Sequence, residues 1–368
     1  MKKIKVLKGK DRYEVYSGID SFNLLPELIT EKELNTNILF VVDKNVMKYH
    51  SERINSVIEK TIGKNNLYIM PTGEKNKSIE RFNNILSFLA DKNYGRDSLI
   101  AAIGGGVTGD IAGFAASTYL RGIQLVHVPT TLLAAVDSSI GGKTGINFLN
   151  RKNIVGTFYQ PDFVLTDTAF LNSLPENEVI SGTGEIIKYA FLSDRDFYND
   201  VNDSYDSIIS LDNKTLNRII PVCIRMKAEI VTEDEQESGL RKILNLGHTF
   251  AHAYESYFDF RIKHGNAVSA GIISSLFLSY KKGIINKTSL NYFLNLPLKI
   301  INTFPGSMDE AEIINRMLSD KKNREGRIKF ILIKDVGEIL LEAEAGREEI
   351  IYAVRKTFIP HSLSNQKY

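Results

Sequence analysis

With 368 residues, 43% of them hydrophobic and 24% charged, the chain has the composition of a globular protein and more length than one ordinary core requires. Its 46 basic and 44 acidic side chains are interspersed and leave a formal net charge of only +2, which argues against a nucleic-acid or membrane-surface partner. Cys223 is the only cysteine, so no internal disulfide forms and a reducing, cytoplasmic setting is expected.

The basic start MKKIKVLKGKDRYEVYSG alternates apolar residues with lysines and lacks the apolar core of a signal peptide. Downstream, NILFVVD, NLYIMPTG, SLIAAIGGG and IQLVHVPT are short apolar runs separated by amphipathic segments, the rhythm of parallel strands covered on both faces. Between the last two, the segment 107–118 is apolar nearly all round and reads as a buried helix. After SLPENEV the pattern changes to long helical segments, which puts a domain boundary near Asn172. The expectation is a Rossmann-like α/β domain over 1–171 and an all-α domain over 172–368. Within the latter, RIKFILIKDVGEILLEAE reads as a late hairpin turning at Asp335 to Gly337. The longest apolar stretch, Ala267 to Tyr280, is too short and too serine-rich to span a bilayer.

Gly104, Gly106 and Gly109 in IGGGVTGD satisfy G-x-G-x-x-G directly after an expected strand and at the start of an expected helix. Glycines at this spacing also serve tight turns, but backbone N–H groups at a helix start favour a dinucleotide phosphate. No acidic residue ends the next strand, where HVPTT stands instead. Asp43 ends an earlier strand, where a carboxylate can accept ribose hydroxyls, and Glu74 and Lys77 follow another in GEKNKS. DSSIGGKTGIN and RKNIVGTFYQP then place Lys143, Lys152 and Asn153 on glycine-rich, non-helical backbone, from which a lysine can reach a phosphate.

The segment NLGHTFAHAYE sets His248 and His252 one helical turn apart, spaced as in a zinc-protease motif but with Thr249 in place of its glutamate. Glu185 and Lys188 share a helix face in SGTGEIIKYA, and His264 follows in KHGNAV. One carboxylate and two imidazoles match a catalytic zinc centre with an open fourth position. Spacing alone leaves open which two of the three histidines ligate; the third would carry a proton or support a ligand. Lys227, Arg241, Asn245 and Arg121 supply cations and an amide suited to a phosphate and a carboxylate.

GGGVTGDIAGFAASTYLRG, VPTTLLAAVDSSIGGKTGIN, KNIVGTFYQP, SGTGEIIKYA, MKAEIV, GLRKILNLGHTFAHA and HGNAV occur in the order found in the 3-dehydroquinate synthase family, which the chain resembles from about Asp43 to Phe330. The resemblance implies an N-terminal NAD-binding α/β domain, a C-terminal metal-binding domain and a homodimer. The implied reaction turns 3-deoxy-D-arabino-heptulosonate 7-phosphate into 3-dehydroquinate and phosphate with transient reduction of NAD. Glu185, His248 and His264 match the family's ligands for Zn2+ or Co2+, and His252 its neighbouring active-site histidine. Asp137, Lys143, Asn153, Lys188, Lys227, Arg241, Asn245 and either Lys321 or Lys322 match substrate-binding positions, with Lys152 and Arg121 handling phosphate. Asp43, Glu74, Lys77, Gly104, Gly105, Gly106, Val107, Asp110, Thr130, Thr131, Lys143 and Lys152 match cofactor positions. The absent glutamate at Thr249 is then of no consequence, because no metal-bound water has to attack a peptide.

Two positions depart from that pattern: Asn266 stands where the family usually has glutamate, and Gly184 where alanine is common. Related sugar-phosphate cyclases acting on substrates without this carboxylate are the nearest alternative, and Lys227, Arg241, Asn245 and His252 speak against it. A metal-dependent polyol dehydrogenase would need no phosphate-binding lysines, and a catalytically dead homologue would have lost a ligand.

Overall fold

The computed structural model describes residues 1–7, 12–149, 151–301, 309–318 and 328–358. They form two compact units, one of residues 1–175 and 210–236 and the other of 176–209 and 237–368.

The first unit is built on a seven-stranded sheet. Its strands are β1 (Lys2–Val6), β2 (Tyr13–Gly18), β3 (Asn37–Asp43), β4 (Lys64–Met70), β5 (Ser98–Gly104), β6 (Gln124–Pro129) and β9 (Phe163–Asp167), in the order β1-β2-β9-β6-β5-β3-β4. Only β1 runs antiparallel to its neighbour; the other pairs are parallel. The four apolar runs of the sequence are β3 to β6; β4 is a half-buried edge strand, and the continuous hydrophobicity of the other three has a simple cause. On β3, Ile38, Phe40 and Val42 enter the core on one face, whereas Leu39 and Val41 enter the core on the other. Parallel pairing requires crossovers, supplied here by helices α1 (Leu25–Glu31), α2 (Lys44–Lys60), α3 (Ile79–Asp91) and α4 (Gly106–Thr118). As expected, α4 is buried nearly throughout, with Ile111, Ala112, Ala115 and Ala116 fully covered.

Residues on glycine-rich backbone after β6 form a π-helical turn (Ala134–Ser138) and a separate hairpin of β7 (Lys143–Phe148) and β8 (Arg151–Phe158). The hairpin packs against α4, where a side chain on Gly113 would collide with Thr144. Asp167, fully buried at the end of β9, ties the turn after β2 and helix α2 to the sheet. Its carboxylate accepts from Phe22 N at 2.8 Å and Ala169 N at 2.9 Å, and pairs with the Arg53 guanidinium.

The second unit is chiefly helical. It contains α5 (Glu176–Leu192), α6 (Arg195–Asp203), α7 (Tyr205–Ile209), α9 (His248–Tyr257), α10 (His264–Lys281), α11 (Lys287–Leu294), α12 (Leu298–Ile301), α13 (Glu310–Leu318) and α14 (Arg347–Phe358). The late hairpin forms from β10 (Lys329–Asp335) and β11 (Glu338–Glu344), with Gly337 at φ 79° in its turn, so this unit is not purely α. Packing also divides the chain differently from the expected break near Asn172. Helix α8 (Asn213–Glu233), assigned above to the second domain, returns to the first unit and packs on β1, β2 and the π-helical turn. Its buried face of Leu216, Ile219, Ile220, Cys223 and Ile224 finds its apolar partner there.

Replacing the fully buried Asp167 with alanine removes the acceptor of a partly buried guanidinium and of two amides, and is expected to lower unfolding free energy by about 3 kcal/mol in a denaturant titration.

Candidate active site and metal centre

In the first unit, parallel strands bring their C-terminal ends to one edge, so Asp43 at the end of β3, the glycine turn leaving β5 and Thr130 after β6 share it. Glycine is required in that turn by close approach. A Cβ on Gly104 would lie 2.6 Å from the Thr108 Cβ, and one on Gly105 2.9 Å from the Thr131 methyl. The turn leads straight into α4, whose first turn carries no acidic side chain. Its N–H groups and the positive end of the helix dipole therefore suit an anion, with Gly106 and Val107 as the first helical residues.

Beside it, the Lys77 ammonium is buried and pairs with Asp110 and Asn153. Burial drives the Asp110 carboxyl upward, and Lys77 opposes that rise. The β7–β8 hairpin is pinned to this loop by Asn147, which donates to Glu74 at 2.8 Å and accepts from Asn153 N at 3.0 Å, while its own N–H reaches Lys77 O at 2.8 Å. The position of Asn147, four residues after Lys143, gives no hint of this contact in the sequence. Asn153 sits in the left-handed region at φ 52°. Lys143 is exposed and Lys152 half-buried on the same hairpin.

Asp137, in the π-helical turn, accepts from Lys227 Nζ at 2.9 Å, and its carbonyl accepts the same ammonium at 2.7 Å. That contact explains why α8 belongs with this unit. Asp43 also caps α2 by accepting from Asn45 N at 2.8 Å. His127, on β6 behind the turn, went unnoticed in the sequence. Burial pushes its imidazole down to about 4, so it is neutral near pH 7. Arg121 is not brought to this group: it is exposed at the far end of α4, in consecutive left-handed residues with Leu120. A helix of that length spans about 20 Å.

In the second unit, three backbone contacts set the geometry. A Cβ on Gly184 of α5 would overlap the Gly265 carbonyl, one on Gly265 of α10 would overlap Ser181 O, and one on Gly271 would overlap Gly247 O. Gly247 itself is at φ 77° and leads into α9. Each contact glycine except Gly271 is next in sequence to a candidate ligand. Donor atoms of Glu185, His248 and His264 consequently lie within 4.8 Å of one another.

The separations suit an ion. His264 Nε2 stands 3.2 Å and His248 Nε2 3.8 Å from Glu185 Oε1. A tetrahedral zinc with bonds of about 2.0–2.2 Å needs donors about 3.3–3.6 Å apart. His248 Nδ1–H donates to Leu246 O at 3.1 Å, which leaves Nε2 as the nitrogen with the lone pair. His252 is not among these converging donors, although its ring stands 5.6 Å from that of His248. Of the alternatives left open by spacing, geometry groups His248 and His264 with Glu185.

Electrostatics follow from burial. Glu185 and Lys188 are both buried and pair at 2.5 Å across one helical turn. Burial holds the His248 imidazole well below its ordinary range. Burial would lower His264 too, but the carboxylates of Glu255 and Glu185 outweigh it and raise this imidazole to about 10. Arg241 is only 2% exposed, and Asn245 Nδ2 donates to Glu237 Oε1 at 2.5 Å. Lys321 and Lys322 lie outside the described residues.

The chain matches family models described as 3-dehydroquinate synthase N-terminal, over residues 67–181, and 3-dehydroquinate synthase C-terminal, over 182–323. It is 40% identical to the 3-dehydroquinate synthase of Alkaliphilus oremlandii, covering 96% of this chain and 99% of that one. It is 37% identical to that of Pelagibacter ubique, covering 96% and 98%. Among solved structures, a 2-deoxy-scyllo-inosose synthase complexed with carbaglucose-6-phosphate, NAD+ and Co2+ superposes with a TM-score of 0.88 at 26% identity, over 96% of this chain and all of the other. The fold is thus that of the sugar-phosphate cyclases. Within that class, the chain belongs to the 3-dehydroquinate synthase family.

Substituting Gly265 with alanine is expected to force α5 and α10 apart and weaken metal binding at least tenfold, measured by competition with a chromogenic chelator. Because an ion must displace the His264 proton, metal affinity should rise with pH up to about 10, with one proton released per ion. Calorimetric titration in buffers of different ionisation enthalpy counts that proton. In metal-free protein the sign reverses: stability from the imidazolium is complete below the ordinary value of 6.5 and is lost as pH rises through about 10, which thermal melts would register.

Proposed function

We propose that the protein converts 3-deoxy-D-arabino-heptulosonate 7-phosphate into 3-dehydroquinate and inorganic phosphate. The observation that carries this reading is the Glu185–His248–His264 donor cluster, in a chain whose relatives over nearly their full length are 3-dehydroquinate synthases. Glu185, His248 and His264 would hold a divalent ion, and the turn from Gly104 to Asp110 with Asp43, Glu74, Lys77, Thr130 and Thr131 would hold NAD. Bound together, the two supply reversible oxidation of a secondary alcohol and polarisation of its oxygen, which acidify the neighbouring carbon.

The chain's own side chains then handle charge and position. Lys143 and Lys152 project from a pinned hairpin and neutralise the phosphate as it leaves, with Asn153 donating beside them. A phosphate oxygen is basic enough to take the acidified proton, so these cations orient and stabilise rather than abstract. Lys188, Lys227, Arg241 and Asn245 bind the carboxylate and hydroxyls, Asp137 orients Lys227, and His252 carries a proton to or from a substrate oxygen. The reading includes a homodimer and a cytoplasmic setting, the latter in keeping with the single buried cysteine.

The test is phosphate release by purified protein from 3-deoxy-D-arabino-heptulosonate 7-phosphate with NAD+ far below substrate concentration, with and without a chelator. Release that exceeds the NAD+ present, needs the metal and yields 3-dehydroquinate is the expected result. No release from metal- and NAD-replete protein overturns the reading and turns attention to other phosphorylated sugars; stoichiometric NADH instead would mark a simple dehydrogenase.

A further inference from the structure

The two histidines of the donor cluster are held in the same way at one end and differently at the other. Both direct Nε2 toward Glu185 Oε1. The Nδ1 of His248 meets a backbone carbonyl at 3.1 Å, whereas the Nδ1 of His264 meets the Glu255 carboxylate, Oε2 at 3.4 Å. Glu255 is 3% exposed and lies on α9 seven residues after His248, two helical turns along the same face. A carboxylate is costly to bury and is retained where a specific partner repays it. None of the sequence motifs drew attention to it, because its partner is on another helix.

We infer that Glu255 is a positioning residue for the metal centre: it accepts the Nδ1–H of His264, fixes the tautomer whose Nε2 is the donor, and makes that nitrogen the more basic of the two imidazole ligands. The inference rests on the metal-centre reading above. One helix thereby supplies both a ligand, His248, and the group that orients the ligand on its neighbour. A metal-ligating histidine donates its other nitrogen to a carboxylate or carbonyl, and loss of such a partner weakens metal binding on the order of 10- to 100-fold. Because the carboxylate carries charge and the Leu246 carbonyl does not, the effect should be larger at His264 than any change near His248 that keeps the backbone in place.

The experiment is titration of metal-stripped protein with Co2+, followed by visible absorption and by chelator competition, for the wild type, Glu255→Gln, Glu255→Asp and the exposed control Glu342→Gln, with far-UV circular dichroism to verify folding. Both Glu255 variants should bind Co2+ about 10- to 100-fold more weakly with a shifted ligand-field spectrum, the control being unchanged. Wild-type affinity and spectrum in a folded Glu255 variant would overturn the role, even if its melting temperature falls, since that pattern marks a purely structural carboxylate. Should neither variant fold, proton NMR of the Co2+-loaded wild type decides. A slowly exchanging, hyperfine-shifted N–H for each of two histidines supports the assignment, and only one such signal overturns it. Wild-type protein that takes up no Co2+ would overturn the metal-centre reading and this role together, whereas equal uptake by all folded chains overturns this role alone.

Discussion

Backbone touching backbone is the constraint on which the helical unit and its donor cluster depend. Helices ordinarily pack 8–10 Å apart because side chains stand between them. At Gly184 and Gly265, and again at Gly247 and Gly271, there is no side chain, and any Cβ would overlap a carbonyl of the facing element. Glu185, His264 and His248 each follow or precede one of these glycines, so the donors occur at the points of closest approach. A site built on rigid helices in this manner keeps its geometry without needing a loop to close on it. Gly184, a departure from the family pattern, thus has a physical role: it lets α5 and α10 meet at the carboxylate.

The first unit applies a related economy of side chains to a different end. There the missing Cβ atoms of Gly104 and Gly105 let the strand β5 turn sharply into α4, presenting N–H groups where an anion can approach. The helix can serve as that anchor only because it is buried nearly all round, pressed between the sheet and the β7–β8 hairpin. Asn147 holds the hairpin to the loop after β4, and Lys77 links the loop to Asp110 and Asn153. Glycine-rich segments that would be mobile alone are therefore fixed by a few side-chain bonds to buried neighbours.

Both units bury charge, and both do so in opposite-sign sets: Lys77 with Asp110, Lys227 with Asp137, Lys188 and His264 with Glu185 and Glu255. Burial without compensation would cost several kcal/mol per ion, so each set must be near neutrality before any ligand arrives. A divalent cation held there, as proposed, would replace a proton at His264 and not simply add charge.

How much of this was legible in the sequence depends on the range over which each feature is encoded. Strands β3, β5 and β6 and the buried α4 are legible because burial on both faces leaves a continuous apolar signature within a few residues, whereas the edge strand β4 shows only the short run around Leu67 to Met70. The glycine turn and the histidine pair were visible as local spacing, and the family resemblance rests on the same short motifs. Tertiary structure decided the rest. Helix α8 belongs with the sheet because its apolar face and Lys227 find partners there, although 34 residues of the other unit, 176–209, intervene. Arg121 stands apart from the glycine turn because the whole of α4 separates them. His264 meets both Glu185 and Glu255 because glycines let three helices converge, and a contact between residues 79 positions apart has no periodicity from which to be read. Local order was written in spacing and hydrophobicity; the chemistry of the site was set by which backbones could approach.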